Sequence, residues 1–116
     1  MKRNLIIIAG IACLSIAFVL SCKKKGKLKA ECDGSKPTYN GEIKAIINNN
    51  CMGSSCHVAG SPYGNFTTYN GLTPYISNGL FKRDVIELQI MPKNKKLSQS
   101  DINKIQCWID NNYAEN

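Results

Sequence analysis

Six cysteines fall in a chain of 116 residues, and their placement constrains the fold more than any other feature. Cys13 and Cys22 sit within and at the end of an apolar N-terminal run. Cys32 and Cys107 lie near the two ends of the remaining chain. Cys51 and Cys56 bracket four residues directly before His57, the only histidine. That density suggests an oxidising compartment and a fold held by covalent staples. The length suffices for one small domain.

The N-terminus reads as an export signal. Lys2 and Arg3 form a basic start, and residues 5–20 are almost wholly apolar. That run of 16 residues is shorter than the roughly 20 needed to span a bilayer, so it suits the apolar region of a signal better than a permanent membrane helix. Val19-Leu20-Ser21-Cys22 resembles a bacterial lipobox. The resemblance implies removal of residues 1–21 and a lipid on Cys22. The alternative is an ordinary signal cut nearby, leaving Cys22 free. Lys23 rather than an aspartate follows Cys22, which points to the outer membrane, with the domain facing the periplasm.

The formal charge of +7 comes from the basic start of the signal and one short stretch after it. Loss of Lys2 and Arg3 with the signal leaves +5, and Lys23, Lys24, Lys25, Lys27 and Lys29 account for all of it. From Ala30 onward eight basic residues balance eight acidic ones. Residues 22–37 therefore read as a lipidated basic tether and lead-in, and 38–116 as the domain. The tether either lies on anionic head groups, at on the order of 1 kcal/mol per residue, or is a solvated linker. No nucleic-acid motif appears.

Hydrophobic spacing predicts a mostly α fold. Residues 38–50 carry Ile43, Ile46 and Ile47 on one stripe, with Asn48-Asn49-Asn50 as the expected stop. Residues 58–68 read as a loop, in which Tyr63 and Phe66 face either a cofactor or the core. Residues 69–77 form a short helix with Leu72, Tyr75 and Ile76 inward. A second, over 83–90, has Val85, Ile86 and 88–90 as its apolar set and ends at Met91-Pro92. The last helix is the clearest. Ser98 and Asp101 make a capping box, Leu97 and Ile102 a hydrophobic staple, and Ile102, Ile105 and Ile109 a face with Cys107 and Trp108 beside it.

Two thiols followed at once by a histidine is the arrangement that covalent haem attachment requires: each thiol meets one vinyl group, and the imidazole meets the iron from the same side. The usual gap between the thiols is two residues; here it is Met52, Gly53, Ser54 and Ser55. A local Cys51–Cys56 disulfide is the serious alternative. Zinc is poorly served, because a closed four-ligand site is hard to assemble around one histidine. Cys32 and Cys107 remain, and two leftover cysteines in an exported protein most often pair; the alternative is two free thiols.

The order of these parts resembles a known family. An apolar helix, Cys-x4-Cys-His, a loop with short helices, Met91-Pro92, and a capped helix ending Ile105-Gln106-Cys107-Trp108-Ile109-Asp110 are similar to small single-haem c-type cytochromes of class I layout. The likeness is greatest to lipoprotein versions from Bacteroidetes-type bacteria and spans about residues 38–113. It implies N- and C-terminal helices with short helices and loops around one covalent haem c, Cys51 and Cys56 as thioether sites, His57 as proximal iron ligand and Met91 as distal. Exclusion supports Met91, since Met1 leaves with the signal and Met52 lies inside the attachment loop. The alternatives are a core methionine, with the sixth position open or taken by a lysine such as Lys93.

The function implied is one-electron transfer, not catalysis, by an iron with both axial positions filled. Lys82, Arg83, Lys93, Lys95 and Lys96 flank Met91 and form either a basic docking rim for acidic redox partners or a solvated surface. Two other classes stay open: a haem-based small-ligand sensor, and a haem-free structural lipoprotein stapled by its disulfide. A domain of fewer than 80 residues (38–116) is marginal on apolar core alone, and a large apolar cofactor ringed by Phe66, Tyr75, Trp108 and the isoleucines would complete it.

Overall fold

The computed structural model describes residues 26–116. The signal, Cys13, the lipid site Cys22 and Lys23 to Lys25 lie outside the described residues. Among the described residues the fold is helical and contains no strand. A π-turn (Tyr39–Ile43) leads into α1 (Lys44–Cys51), a 3-10 turn (Gly53–Ser55) comes next, then α2 (Tyr69–Ser77), a π-helical segment (Lys82–Glu87) and α3 (Gln99–Asp110).

The π-turn that leads into α1, and helices α2 and α3, each begin with a side-chain cap. The hydroxyls of Thr38, Thr68 and Ser98 accept the N–H groups of Gly41, Gly71 and Asp101, each at 3.1 Å. Each satisfies an otherwise orphaned donor, worth about 1 kcal/mol. Leu97 and Ile102, the expected staple pair, are both buried. Pro74 lies inside α2, where its missing N–H leaves the Asn70 carbonyl without a helical donor. The Thr73 hydroxyl donates to that carbonyl at 3.3 Å.

Three expectations change. The asparagine run does not stop the first helix: α1 continues to Cys51, and Asn50 Nδ2 donates to Ile46 O at 2.8 Å within the last turn. The segment after Phe81 is wound as a π-helix, with the Leu88 N–H on Arg83 O five residues back. The wider winding and a left-handed Gln89 (φ 52°) turn Leu88 and Ile90 outward, so only Val85 and Ile86 of the expected apolar set join the core. In α3, Cys107 and Trp108 are fully buried and Ile109 only half so.

The core is one cluster. Ile43, Ile47, Leu72, Ile102, Ile105 and Trp108 have at most 2% of their surface exposed, and Tyr39 packs edge-on to Tyr69 at 5.6 Å. The C-terminal residues close over the start of the first helix. Ala114 O accepts both the Tyr39 N–H (3.0 Å) and Trp108 Nε1 (2.9 Å), and Glu115 O accepts the Asn40 N–H (3.0 Å).

The lead-in is extended chain fastened along α3. Cys32 and Cys107 are joined by a disulfide. Gln99 Nε2 donates to Lys29 O (2.6 Å), Asn103 Oδ1 accepts the Glu31 N–H (3.1 Å), and Asn111 Nδ2 donates to Ser35 O (3.2 Å).

Candidate functional site

The last residue of α1 is Cys51, so the helix delivers its thiol half-buried against the core. The four-residue gap then coils into the 3-10 turn, with Ser54 (φ 52°) and Ser55 (φ 60°) left-handed. The Cys56 N–H closes the turn on Gly53 O at 3.0 Å, and its thiol is exposed. Small residues suit this path, since a left-handed backbone costs an L-residue roughly 1–2 kcal/mol. Both thiols are free, unlike Cys32 and Cys107. Burial, with the neighbouring Cys56 second, pushes the Cys51 thiol up to about 12.

His57 is held by a layer of aromatic rings. Its imidazole lies flat on Phe66, centroids 4.0 Å apart and planes within 6°. Phe66 meets Tyr75 edge-on at 5.0 Å and Phe81 at 6.1 Å. The Phe66 N–H donates to His57 O (2.8 Å), and the Tyr39 hydroxyl donates to Phe66 O (3.3 Å). Gly64 (φ 97°) passes directly against the Tyr75 ring, where a Cβ would overlap it. His57 Nδ1 is buried without a hydrogen-bond partner. An unmet buried polar atom costs about 1–3 kcal/mol. Tyr63 is 69% exposed and packs against neither core nor site.

Met91 is half-buried beside a mainly apolar cavity of about 400 Å³. Val85, Leu88, Ile90, Leu97 and Ile102 supply its apolar lining; Cys51, Cys56 and His57 are not part of it. The N–H groups of Ile90 and Met91 both donate to Asp84 O, at 3.0 and 3.2 Å. Gln89 is the buried polar residue of this region. Its side chain accepts the Leu28 N–H (3.0 Å) and donates to Leu28 O (2.6 Å), and its carbonyl accepts Lys96 Nζ (3.0 Å). Lys95 Nζ reaches Asn49 O at 3.1 Å, tying the Met91 loop to the last turn of α1, two residues before Cys51.

Three of the five rim cations are thus engaged within the domain: Lys95 and Lys96 on carbonyls, and Arg83 on Asp84 at 2.7 Å. Gln89, Gly64 and the Asp84 carbonyl shape the surroundings of His57 and Met91, and no motif in the sequence marks them. Only Gly64, in a glycine-containing loop, has any signal there; a carbonyl and a latch formed across 61 residues have none. Cys32, Asp33 and Cys107 cluster with ligand atoms within 4.8 Å, but both sulfurs belong to the disulfide and are not available as thiolates.

Two free thiols and the adjoining imidazole lie on one segment, and the Met91 thioether lines an apolar cavity that includes none of the three. No protein-family model matches the chain, and neither curated proteins nor solved structures give a match.

Proposed function

We propose that the chain is a lipid-anchored periplasmic electron carrier with one covalent haem c. The observation that carries this reading is the contrast among the four described cysteines. One pair is a disulfide, while the pair before the sole histidine stays as free thiols beside a stacked imidazole whose Nδ1 has no partner. In this reading Cys51 and Cys56 would hold the group by thioethers, and His57 and Met91 would be the residues that bind its iron. When bound, the haem supplies a one-electron Fe(III)/Fe(II) couple, which Met/His ligation biases toward the reduced state. The chain's own residues do the rest. Phe66 fixes the plane of the His57 ring, and Tyr75 and Phe81 brace Phe66. The paired N–H groups on Asp84 O set the backbone of Met91, and the cavity beside its thioether is lined mainly by apolar side chains. Lys82 and Lys93, the rim cations free of the contacts that engage the other three, are the ones left to steer an acidic redox partner.

The test is a haem stain after denaturing electrophoresis of protein made with a cytochrome c maturation system. A stained band is expected from the native chain and none from Cys51→Ala/Cys56→Ala; a colourless native band refutes the reading. Met91→Ala should abolish the weak red Met–iron absorption band. A haem-free structural lipoprotein is the second reading, favoured by the Cys32–Cys107 staple and by a core that closes around Trp108 from protein side chains alone.

A further inference from the structure

We propose that the surface around Leu28, Leu88 and Ile90 is a membrane-docking face that seats the folded domain on an anionic bilayer. These side chains are 37, 41 and 54% exposed, and all three border the mouth of the same cavity. They are presented there by structure, not left there by chance of sequence. The π-winding and the left-handed Gln89 turn Leu88 and Ile90 out, and the two hydrogen bonds from Gln89 hold Leu28 beside them. Such an exposed apolar group beside a cation is the chemistry of an interfacial surface.

The occupant is set by the chain that leaves this face. Gly26, Lys27 and Leu28 line the mouth, and the three residues before them are Lys23, Lys24 and Lys25. Six steps separate Leu28 from Cys22, a reach of at most about 20 Å even fully extended. Resting on the reading that Cys22 carries lipid, the face is confined within that distance of the bilayer, at an effective concentration on the order of millimolar. Lys27 adds positive charge at the mouth, whereas Lys29 is paired with Glu31 at 2.8 Å, and Glu87 is the carboxylate next to Leu88 in sequence. Three partly exposed side chains fall well short of the roughly 800 Å² per partner of a stable protein interface, yet suffice for a domain already tethered. The proposal concerns the outer rim of the cavity, so it stands whether or not a cofactor fills the interior.

The experiment uses the full lipidated chain in anionic vesicles, phosphatidylcholine containing one part in three of phosphatidylglycerol. Ile90→Cys, with Leu88→Cys as a second variant, is labelled by a water-soluble maleimide and read by peptide mass. Lys104→Cys, on exposed α3 surface, is the control. Labelling at position 90 or 88 should slow about tenfold relative to detergent solution, the effect of removing one such side chain from water, with position 104 unchanged. Equal rates at position 90 in vesicles and detergent overturn the proposal. So does protection that rises with protein concentration without vesicles, since a second copy is then the occupant. The mass of the Cys22 peptide and the haem absorbance are read on the same sample. Protection at position 90 on added vesicles with an unlipidated Cys22 upholds the face and rejects the anchor, and a colourless sample bears only on the electron-transfer reading.

Discussion

Burial gives the two thiols of the Cys51–Cys56 pair different chemistry. Cys51, held up to about 12 from an ordinary 9.0, stays protonated at neutral pH, while Cys56 is exposed. In the haem-free protein, iodoacetamide at pH 8 should alkylate Cys56 at least tenfold faster than Cys51, as peptide mass will show. The same shift gives stability a definite pH dependence. The folded state holds the Cys51 proton more tightly than the unfolded chain, so its contribution to stability is intact below about pH 9 and is lost as pH rises toward 12. Denaturant titrations at pH 7 and pH 10 should therefore give a lower midpoint at pH 10. Gly64 acts on the other half of the site. Gly64→Ala places a Cβ on the Tyr75 ring at a left-handed φ of 97° and should cost about 2 kcal/mol, lowering Tm by roughly 10 °C. Calorimetry measures the loss. The same variant should loosen the Phe66–His57 stack, visible as a shift of the histidine ring resonances.

The start of α3 was the most legible feature, because a cap is a local interaction between neighbours in sequence. Ser98 and Leu97 could be placed from spacing alone, as could the stripe of Ile43, Ile46 and Ile47, all buried. The winding of the segment after Phe81 could not be placed, because a π-helix keeps the composition of an α-helix while moving its face. The first helix depends on residues at the far end of the chain. Removing residues 114–116 takes away acceptors for the Tyr39 and Asn40 N–H groups and for the fully buried Trp108 Nε1. One unsatisfied buried donor and two lost bonds should together cost about 3 kcal/mol, measured as a drop in the denaturant midpoint without a change in m.

At the scale of the molecule, the Cys32–Cys107 disulfide spans 75 residues and fixes the lead-in along α3. Closing a loop of that size constrains the unfolded chain by about 4 kcal/mol. Cys32→Ala/Cys107→Ala should lower stability by that order in urea titrations. It should also expose residues 26–36 to protease before the helices yield, because their remaining ties are a few side-chain hydrogen bonds. A variant as stable as the parent would reject the constraint.

By itself the sequence determined what depends on near neighbours: the helical class, the capped start of α3, and the adjacency of Cys51, Cys56 and His57; it left Cys32 and Cys107 as the candidate pair that the structure joins. Spacing and capping chemistry are local, and cysteine bookkeeping needs only a count. Tertiary structure decided what depends on long-range contact. It set how far α1 runs past its asparagines, which way Leu88 and Ile90 point, and what the His57 ring lies on. It also turned a lead-in that reads as tether into a strap held by Gln89, Gln99 and Asn103. The cysteine spacing that first constrained the chain thus sets which thiols stand next to His57, and packing determines what surrounds His57 and Met91.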